Sequence, residues 1–271
     1  MASLACAWAL SGCDGNDAND NAGAEQADPV ATTRGPFEWP SDPSHPVLEV
    51  AIESAAGSGT ILIELMPELA PSTIVKVLEL ADAGFYDGTT FHRVIPGFMI
   101  QGGDPNSRDR DPTNDGVGGS NVKIQDEFTE APFLRGVVGM GNRGRPNSTS
   151  TQFFIMQKHN EGLTGRYNAV GRVLRGMELV DAITSVDIDR SGRWGPKDRP
   201  LENVIMTSVR AIGQIAAVTE AIKLESAANA MAFATRSADD DTSETPVSNS
   251  LDTPAAPAAD EDWERLEAEG R

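Results

Sequence analysis

Charge is spread unevenly along this chain, and the unevenness confines any folded core to its middle. Residues 14–46 carry seven acids and one arginine, a net of −6, and residues 217–271 carry thirteen acids and four bases, a net of −9. Between them, residues 47–216 hold 21 acids and 17 bases, a net of only −4. Both flanks are rich in Ala, Asp, Asn, Pro and Ser, and the C-terminal one contains Asp239-Asp240-Asp241. Such segments cannot bury enough apolar surface to offset the entropy of ordering them. The expectation is an acidic disordered tether over 14–46, a folded domain over 47–216 and a mostly disordered acidic tail over 217–271. Ile215, Val218 and Ile222 have helical spacing and extend the domain by a few turns.

The overall charge of −19 argues against nucleic acid as a partner, because phosphate binding needs a basic surface. No stretch approaches the ~20 apolar residues of a spanning helix. Two cysteines and three histidines leave little room for a zinc site or a disulfide framework. The first thirteen residues are a case of their own. An apolar, Ala-rich run from Ala2 to Leu10 ends in Leu10-Ser11-Gly12-Cys13, which resembles the cleavage box of bacterial lipoproteins. On that reading residues 1–13 are a signal segment and Cys13 becomes the lipidated first residue of the mature chain. The only membrane contact is then the lipid anchor, and the protein is exported to the bacterial cell envelope, facing the periplasm.

The middle segment alternates in the manner of short strands. Leu48, Val50 and Ile52 alternate with Glu49, Ala51 and Glu53, and Ile61, Ile63 and Leu65 follow the same period of two. Ala56-Gly57-Ser58-Gly59 connects the two runs as a hairpin. Ile74, Val77, Leu78 and Ala81 fall on one helical face, with Pro71 suited to the first turn and Gly84 to the C-terminal cap. A second helix is expected over Met177–Ile183. Further strand-like runs occupy Thr89–Val94, Phe98–Gln101, Gly136–Gly141, Gln152–Met156, Ala169–Val173 and Val204–Val209. About eight strands with two helices imply a mainly β fold, a closed eight-stranded antiparallel barrel capped by the helices.

Phe91-His92-Arg93-Val94-Ile95-Pro96-Gly97-Phe98-Met99-Ile100-Gln101-Gly102-Gly103-Asp104 is the most specific stretch in the chain. It resembles the signature of the cyclophilins, peptidyl-prolyl cis-trans isomerases. The likeness continues through Gly116-Val117-Gly118-Gly119, Asp126-Glu127-Phe128 and Met140-Gly141-Asn142-Arg143, then through Pro146 to Ile155, in the family's order across 47–212. It implies the cyclophilin barrel and an isomerase that speeds rotation about X-Pro bonds in unfolded or partly folded proteins. No cofactor or metal is implied, and a monomer is expected. The alternative function is a binding module or chaperone that holds proline-containing segments without turnover.

Rotation about a prolyl bond must break amide resonance, against a barrier of ~18–20 kcal/mol. It needs no nucleophile and moves no proton. What helps is a donor that binds the proline nitrogen more strongly when the amide is twisted than when it is planar. Arginine suits this, because it stays protonated and carries a rigid fork of donors. The resemblance assigns that role to Arg93, with Gln101 positioning it. It assigns the proline cup to Phe98, Met99, Phe154 and Leu163. Asn142 pairs with the substrate backbone, Gln152 lines the same groove, and Tyr167 stands where the family has a pocket His. Gly162 occupies a position where many members carry Trp. His92 moves no proton in this chemistry and reads as structural.

Asp187, Asp189, Ser191, Gly192 and Asp198 fall at positions 1, 3, 5, 6 and 12 of a calcium-loop spacing. The last ligand is usually Glu, and the strand expected after Pro200 leaves no following helix. The expectation is a solvated surface loop without metal.

Overall fold

The computed structural model describes residues 37–40, 42–119, 124–213, 215–224 and 227–228. The expected signal segment with Cys13, most of the tether and most of the acidic tail lie outside them. β1 (Val47–Ser54) and β2 (Gly57–Leu65) form the first hairpin. Its turn falls on Ala55 and Ala56, because pairing Val50 with Ile61 and Leu48 with Ile63 makes the glycine-rich run the start of β2. α1 (Pro71–Asp82) follows, with Pro71 in its first turn and Gly84 just beyond its end at φ 66. Ala70, at its N-cap, has no side-chain acceptor to offer. The first-turn N–H groups of Ser72 and Thr73 donate instead to the Glu127 carboxylate at 3.0 and 2.9 Å, a cap supplied from 55 residues away.

The chain continues through β3 (Arg93–Ile95), β4 (Met99–Gly102), β5 (Val137–Met140), β6 (Phe153–Met156) and β7 (Ala169–Arg175). Then come α2 (Met177–Ile183), β8 (Ile188–Asp189), β9 (Arg199–Pro200) and β10 (Ile205–Ile212). Eight strands make one antiparallel sheet in the order β10-β1-β2-β7-β5-β6-β4-β3, and β8 pairs with β9 alone. The expected closed barrel is corrected here: the sheet curls but stays open between β3 and β10. Among the described residues, the bridge Thr90 to Ile205 and neighbouring backbone bonds, such as Phe91 N–H to Val204 O at 2.9 Å, span that gap. β3 is too short to run alongside β10. Its outer N–H group, at Val94, donates to the Asp198 carbonyl at 2.8 Å, so the β8–β9 hairpin lies against that edge.

Alternation along the strands splits the core in two. Val94, Ile100, Val138 and Ile155 face into the curl, and α1 and α2 pack Ile74, Leu78, Val180 and Ile183 against the same cluster. Ile95, Met99, Val137 and Met156 face outward and join a second apolar cluster. Phe37 and Trp39, on the tether side of the compositional boundary, pack partly against this second cluster, edge to face at 5.1 Å. Past β10, residues 215–224 are helical, and Ile215, Val218 and Ile222 pack on the inner cluster, in keeping with their spacing. Among the described residues no helix is long and apolar enough to cross a membrane.

His45 fastens the N-terminal segment. Its Nδ1 lies 3.1 Å from Glu64 and its Nε2 3.1 Å from Glu68, while Arg172 holds the other Glu64 oxygen at 3.1 Å. Burial by itself lowers the His45 pKa, but hydrogen bonds from Glu68 and Glu64 outweigh it, and the net shift is upward. A raised folded-state pKa stabilises fully below the unfolded value and loses that contribution as pH rises through the folded one. His45→Ala should therefore lower Tm more at about pH 6 than at about pH 8.5. Thermal melts of both proteins at the two pH values check this, and an equal loss at both would refute it.

Candidate active site

Strand register assembles the site before any side chain is considered. Arg93 pairs with Gln101, Gln101 with Phe154, Phe154 with Gly139, and Gly139 with Ala169. These five positions form one row across β3, β4, β6, β5 and β7, all on the outer face of the curl. Met99, two pairs along, shares that face, and Phe98 ends the β3–β4 turn. Phe98, Met99, Phe154, Leu163 and Tyr167 all belong to the outer apolar cluster. The structure thus brings together the aromatic and aliphatic residues expected of the cup.

Phe154 is held on three sides. Phe133 stacks on it at 5.6 Å and 26°, and Tyr167 meets it edge on at 5.5 Å. On the third side Gly139 leaves room. A Cβ there would lie 2.5 Å from Phe154 Cζ and 2.6 Å from Phe133 Cε1, so a close approach requires glycine. Phe133 was not among the expected site residues. It sits in an irregular segment between Pro132 and Leu134, where no period marks it as core.

The polar side is a chain of amides. Gln101 Nε2 donates to Gln152 Oε1 at 2.8 Å, and Gln152 Nε2 donates to the carbonyls of Gly116 and Gly118 at 2.8 and 3.0 Å. Asp104, fully buried, anchors that loop by accepting from Asn106 N–H at 2.8 Å and Gly118 N–H at 3.0 Å. Gln101 Oε1 is buried with no hydrogen-bond partner. Arg93 and Gln101 stand opposite each other in the β3–β4 register. Asn142 is spent within the chain, its Nδ2 donating to Arg166 O and its Oδ1 accepting from Gly144 N–H, each at 3.0 Å. His92 is buried under the site, and neither ring nitrogen makes a well-formed hydrogen bond. Burial lowers its pKa to about 4, with the nearby Asp104 charge opposing and Arg93 adding to the shift. A neutral, enclosed imidazole fits a structural part.

The model of the cyclophilin type peptidyl-prolyl cis-trans isomerase/CLD family matches residues 48–211. The chain belongs to this family. A probable peptidyl-prolyl cis-trans isomerase of Brucella suis is 45% identical over 130 residues, which span 46% of this chain and 66% of that protein. A peptidyl-prolyl cis-trans isomerase of Schizosaccharomyces pombe is 38% identical over 156 residues, 56% of this chain and 92% of its own length. A cyclophilin type isomerase of Cryptosporidium parvum, solved in the presence of the dipeptide Ala-Pro, superposes with a TM-score of 0.53 at 26% identity, covering 62% of this chain and 99% of that one.

Set in this cyclophilin, the positions that depart from the family pattern are small adjustments at the rim. Gly162 lies in a 3-10 turn, Glu161–Leu163, whose N-cap Asn160 accepts from Gly162 N–H at 2.8 Å. That turn buries Leu163 beside Tyr167 without help from a residue-162 side chain. The calcium-like spacing is used internally: Asp189 accepts from the Ser191 backbone and hydroxyl and from Trp194 N–H. Among the described residues no three His, Cys, Asp or Glu side chains gather as a metal site.

Seating Phe154 depends on the missing side chain at residue 139. Gly139→Ala should lower stability by about 1–3 kcal/mol through overpacking. It should also lower prolyl-peptide turnover by about tenfold or more by displacing the Phe154 ring. Thermal melts and peptide exchange rates measured together check this, and a variant with unchanged melting and rate would refute the packing described.

Proposed function

We propose that this cyclophilin isomerises X-Pro bonds in proteins by seating the proline ring against Phe98, Met99, Phe154 and Leu163 and twisting the amide beside Arg93. The observation that carries the reading is the cross-strand row that sets Arg93 and Gln101 beside Phe154 and its apolar cluster. The apolar cluster supplies ground-state binding, at roughly 25 cal/mol per Å² of apolar surface removed from water. As the amide twists, its nitrogen lone pair leaves resonance and becomes an acceptor. The Arg93 guanidinium donates to it, an interaction weak in both planar states, and so accelerates the exchange in both directions. The orphaned Gln101 Oε1 is an acceptor waiting for a donor, which a substrate N–H or a bridging water provides. Asn142, its side chain already bonded, contacts the substrate backbone through its own main chain, and Gln152 holds Gln101 in place. His92, neutral and buried, takes no part in proton transfer, which the reaction does not involve.

The substrates are unfolded or partly folded proline-containing proteins. The Ala-Pro dipeptide of the Cryptosporidium relative is the chemistry this cup would take. The chain acts as a monomer in the cell envelope, tethered through a lipid on Cys13 by its acidic N-terminal segment.

Two experiments test these statements. Arg93→Ala should lower kcat by about 10²–10³-fold, or ~2.7–4 kcal/mol, the scale for removing one preorganised donor, while peptide affinity falls much less. NMR exchange rates of a prolyl peptide beside a binding titration separate the two. Equal losses in both would mean that Arg93 only binds, and full retention of rate would favour a holding function without turnover. For the anchor, mass spectrometry of the mature chain from its host should find a diacylated N-terminal Cys13 in the membrane fraction. An unmodified Met1 on a soluble chain would overturn it.

A further inference from the structure

Cations gather around the proline cup, in a chain whose net charge is −19. The turn over residues 142–149 holds Arg143 and Arg145 and no acid. It leaves β5 beside the site. Gly141 N–H donates to Gln152 O at 2.7 Å, and the Arg143 guanidinium donates at 2.6 Å to Val117 O, between the two glycines whose carbonyls hold Gln152. Arg166 precedes Tyr167 of the cup, and its carbonyl accepts from Asn142 Nδ2. At the β3 end of the row, the β8–β9 hairpin carries exposed Arg190, Arg193 and Lys197, again with no acid among residues 190–197. Its Asp198 carbonyl accepts from Val94 N–H at 2.8 Å, which sets the hairpin beside the strand that begins with Arg93.

The chain itself supplies an anionic counterpart. Between Arg236 and Arg265 lie nine acids, no base and three prolines, Pro246, Pro254 and Pro257. Pro257 has Ala on either side and is soon followed by Asp260-Glu261-Asp262. A proline for an apolar cup and anions for a basic rim thus stand within ~10–17 Å of extended chain. Residues 229–255 can bridge up to ~90 Å, several times the ~15 Å radius of gyration of a domain of this size. Length does not keep Pro257 from the cup.

We propose that the acidic C-terminal segment docks on its own domain, with Pro257 in the proline cup and Asp260, Glu261 and Asp262 against the cations beside it. The proposal rests on the isomerase reading above, because the cup that takes Pro257 is the cup that takes substrate. The Ala256-Pro257 bond is then a substrate held in cis, and the tail competes with every other proline-containing segment. A tethered segment at an effective concentration of about a millimolar occupies a weak site for much of the time without any strong contact. Added substrate must displace it, which raises KM and leaves kcat alone. Exposed ion pairs contribute little singly and are screened by salt, so the tail biases occupancy of the cup without sealing it.

The test uses the full chain and a short, neutral prolyl peptide. Pro257→Ala should lower KM for that peptide about threefold with kcat unchanged. The triple variant Asp260→Asn, Glu261→Gln, Asp262→Asn should do the same, and Pro246→Ala should change neither constant. Salt at about 0.5 M should remove the difference between the wild type and the triple variant. By NMR, exchange at the Ala256-Pro257 bond should be faster than the roughly tens to hundreds of seconds of an uncatalysed prolyl bond. That rate should be independent of protein concentration and fall in Arg93→Ala. An unchanged KM in Pro257→Ala, or exchange at Pro257 that is uncatalysed or scales with protein concentration, would overturn the proposal. A preference for acidic added peptides, with KM unchanged in Pro257→Ala, would also overturn it and assign the basic rim to segments of other proteins. Failure of the isomerase reading looks different, since the wild type would then not speed exchange in the added peptide.

Discussion

Each central strand of the curled sheet divides its side chains between two apolar clusters, and the rest of the structure depends on that division. Val94, Ile100, Val138 and Ile155 fill the curl, while Met99, Val137, Phe154 and Met156 point the other way into a second cluster. Full burial of one such side chain contributes roughly 1.5–3 kcal/mol, so neither face can be exposed without loss. A slip of one residue in any central strand would exchange the two sets. It would also turn Arg93 and Gln101 inward. The stability of the fold and the geometry of the site are therefore set by one register.

The outer cluster is unusual in having to be both a core and a binding surface. Its solution is aromatic contact: Phe133, Phe154 and Tyr167 brace one another, and glycine at 139 lets two rings approach the backbone. A rigid ring loses little conformational entropy when a substrate proline packs against it. The polar border is built on the same principle. Gln152 is bonded at both ends of its amide, and Asp104 fixes the loop beneath it. Only Gln101 Oε1 is left unsatisfied in that chain, and an unpaired buried acceptor of this kind is costly unless a ligand or water completes it.

The periphery shows how distant residues serve local needs. Ala70 cannot cap α1, and Glu127 does so through Ser72 and Thr73, steadied by Asn168, which accepts from Glu127 N–H at 2.8 Å. β3 cannot pair with β10 along its length, and the β8–β9 hairpin covers it. His45 joins Glu64 and Glu68 at the base of the N-terminal segment, and Phe37 and Trp39 pack partly against the outer cluster.

Local pattern alone determined much of this protein. A period of two marked the strands, helical spacing marked both helices, and the run from Phe91 to Asp104 carried the family together with Arg93, Phe98, Met99 and Gln101 of the site. These are short-range signals, because a side chain's face depends on its own strand or helix. Sequence did not reveal closure, partners or pairings, which depend on residues far apart in the chain. The barrel stays open because β3 spans only three residues, a length that alternation near Thr89–Val94 overstated. Phe133 lies in no periodic element, and the Gln101 amide finds its acceptor in Gln152, 51 residues away. Asp198, expected in a solvated surface loop, is buried against β3 by the fold. Whether a polar group holds a substrate, a neighbour or a helix end is decided by which donors folding brings within about 3 Å, and only the tertiary structure does that.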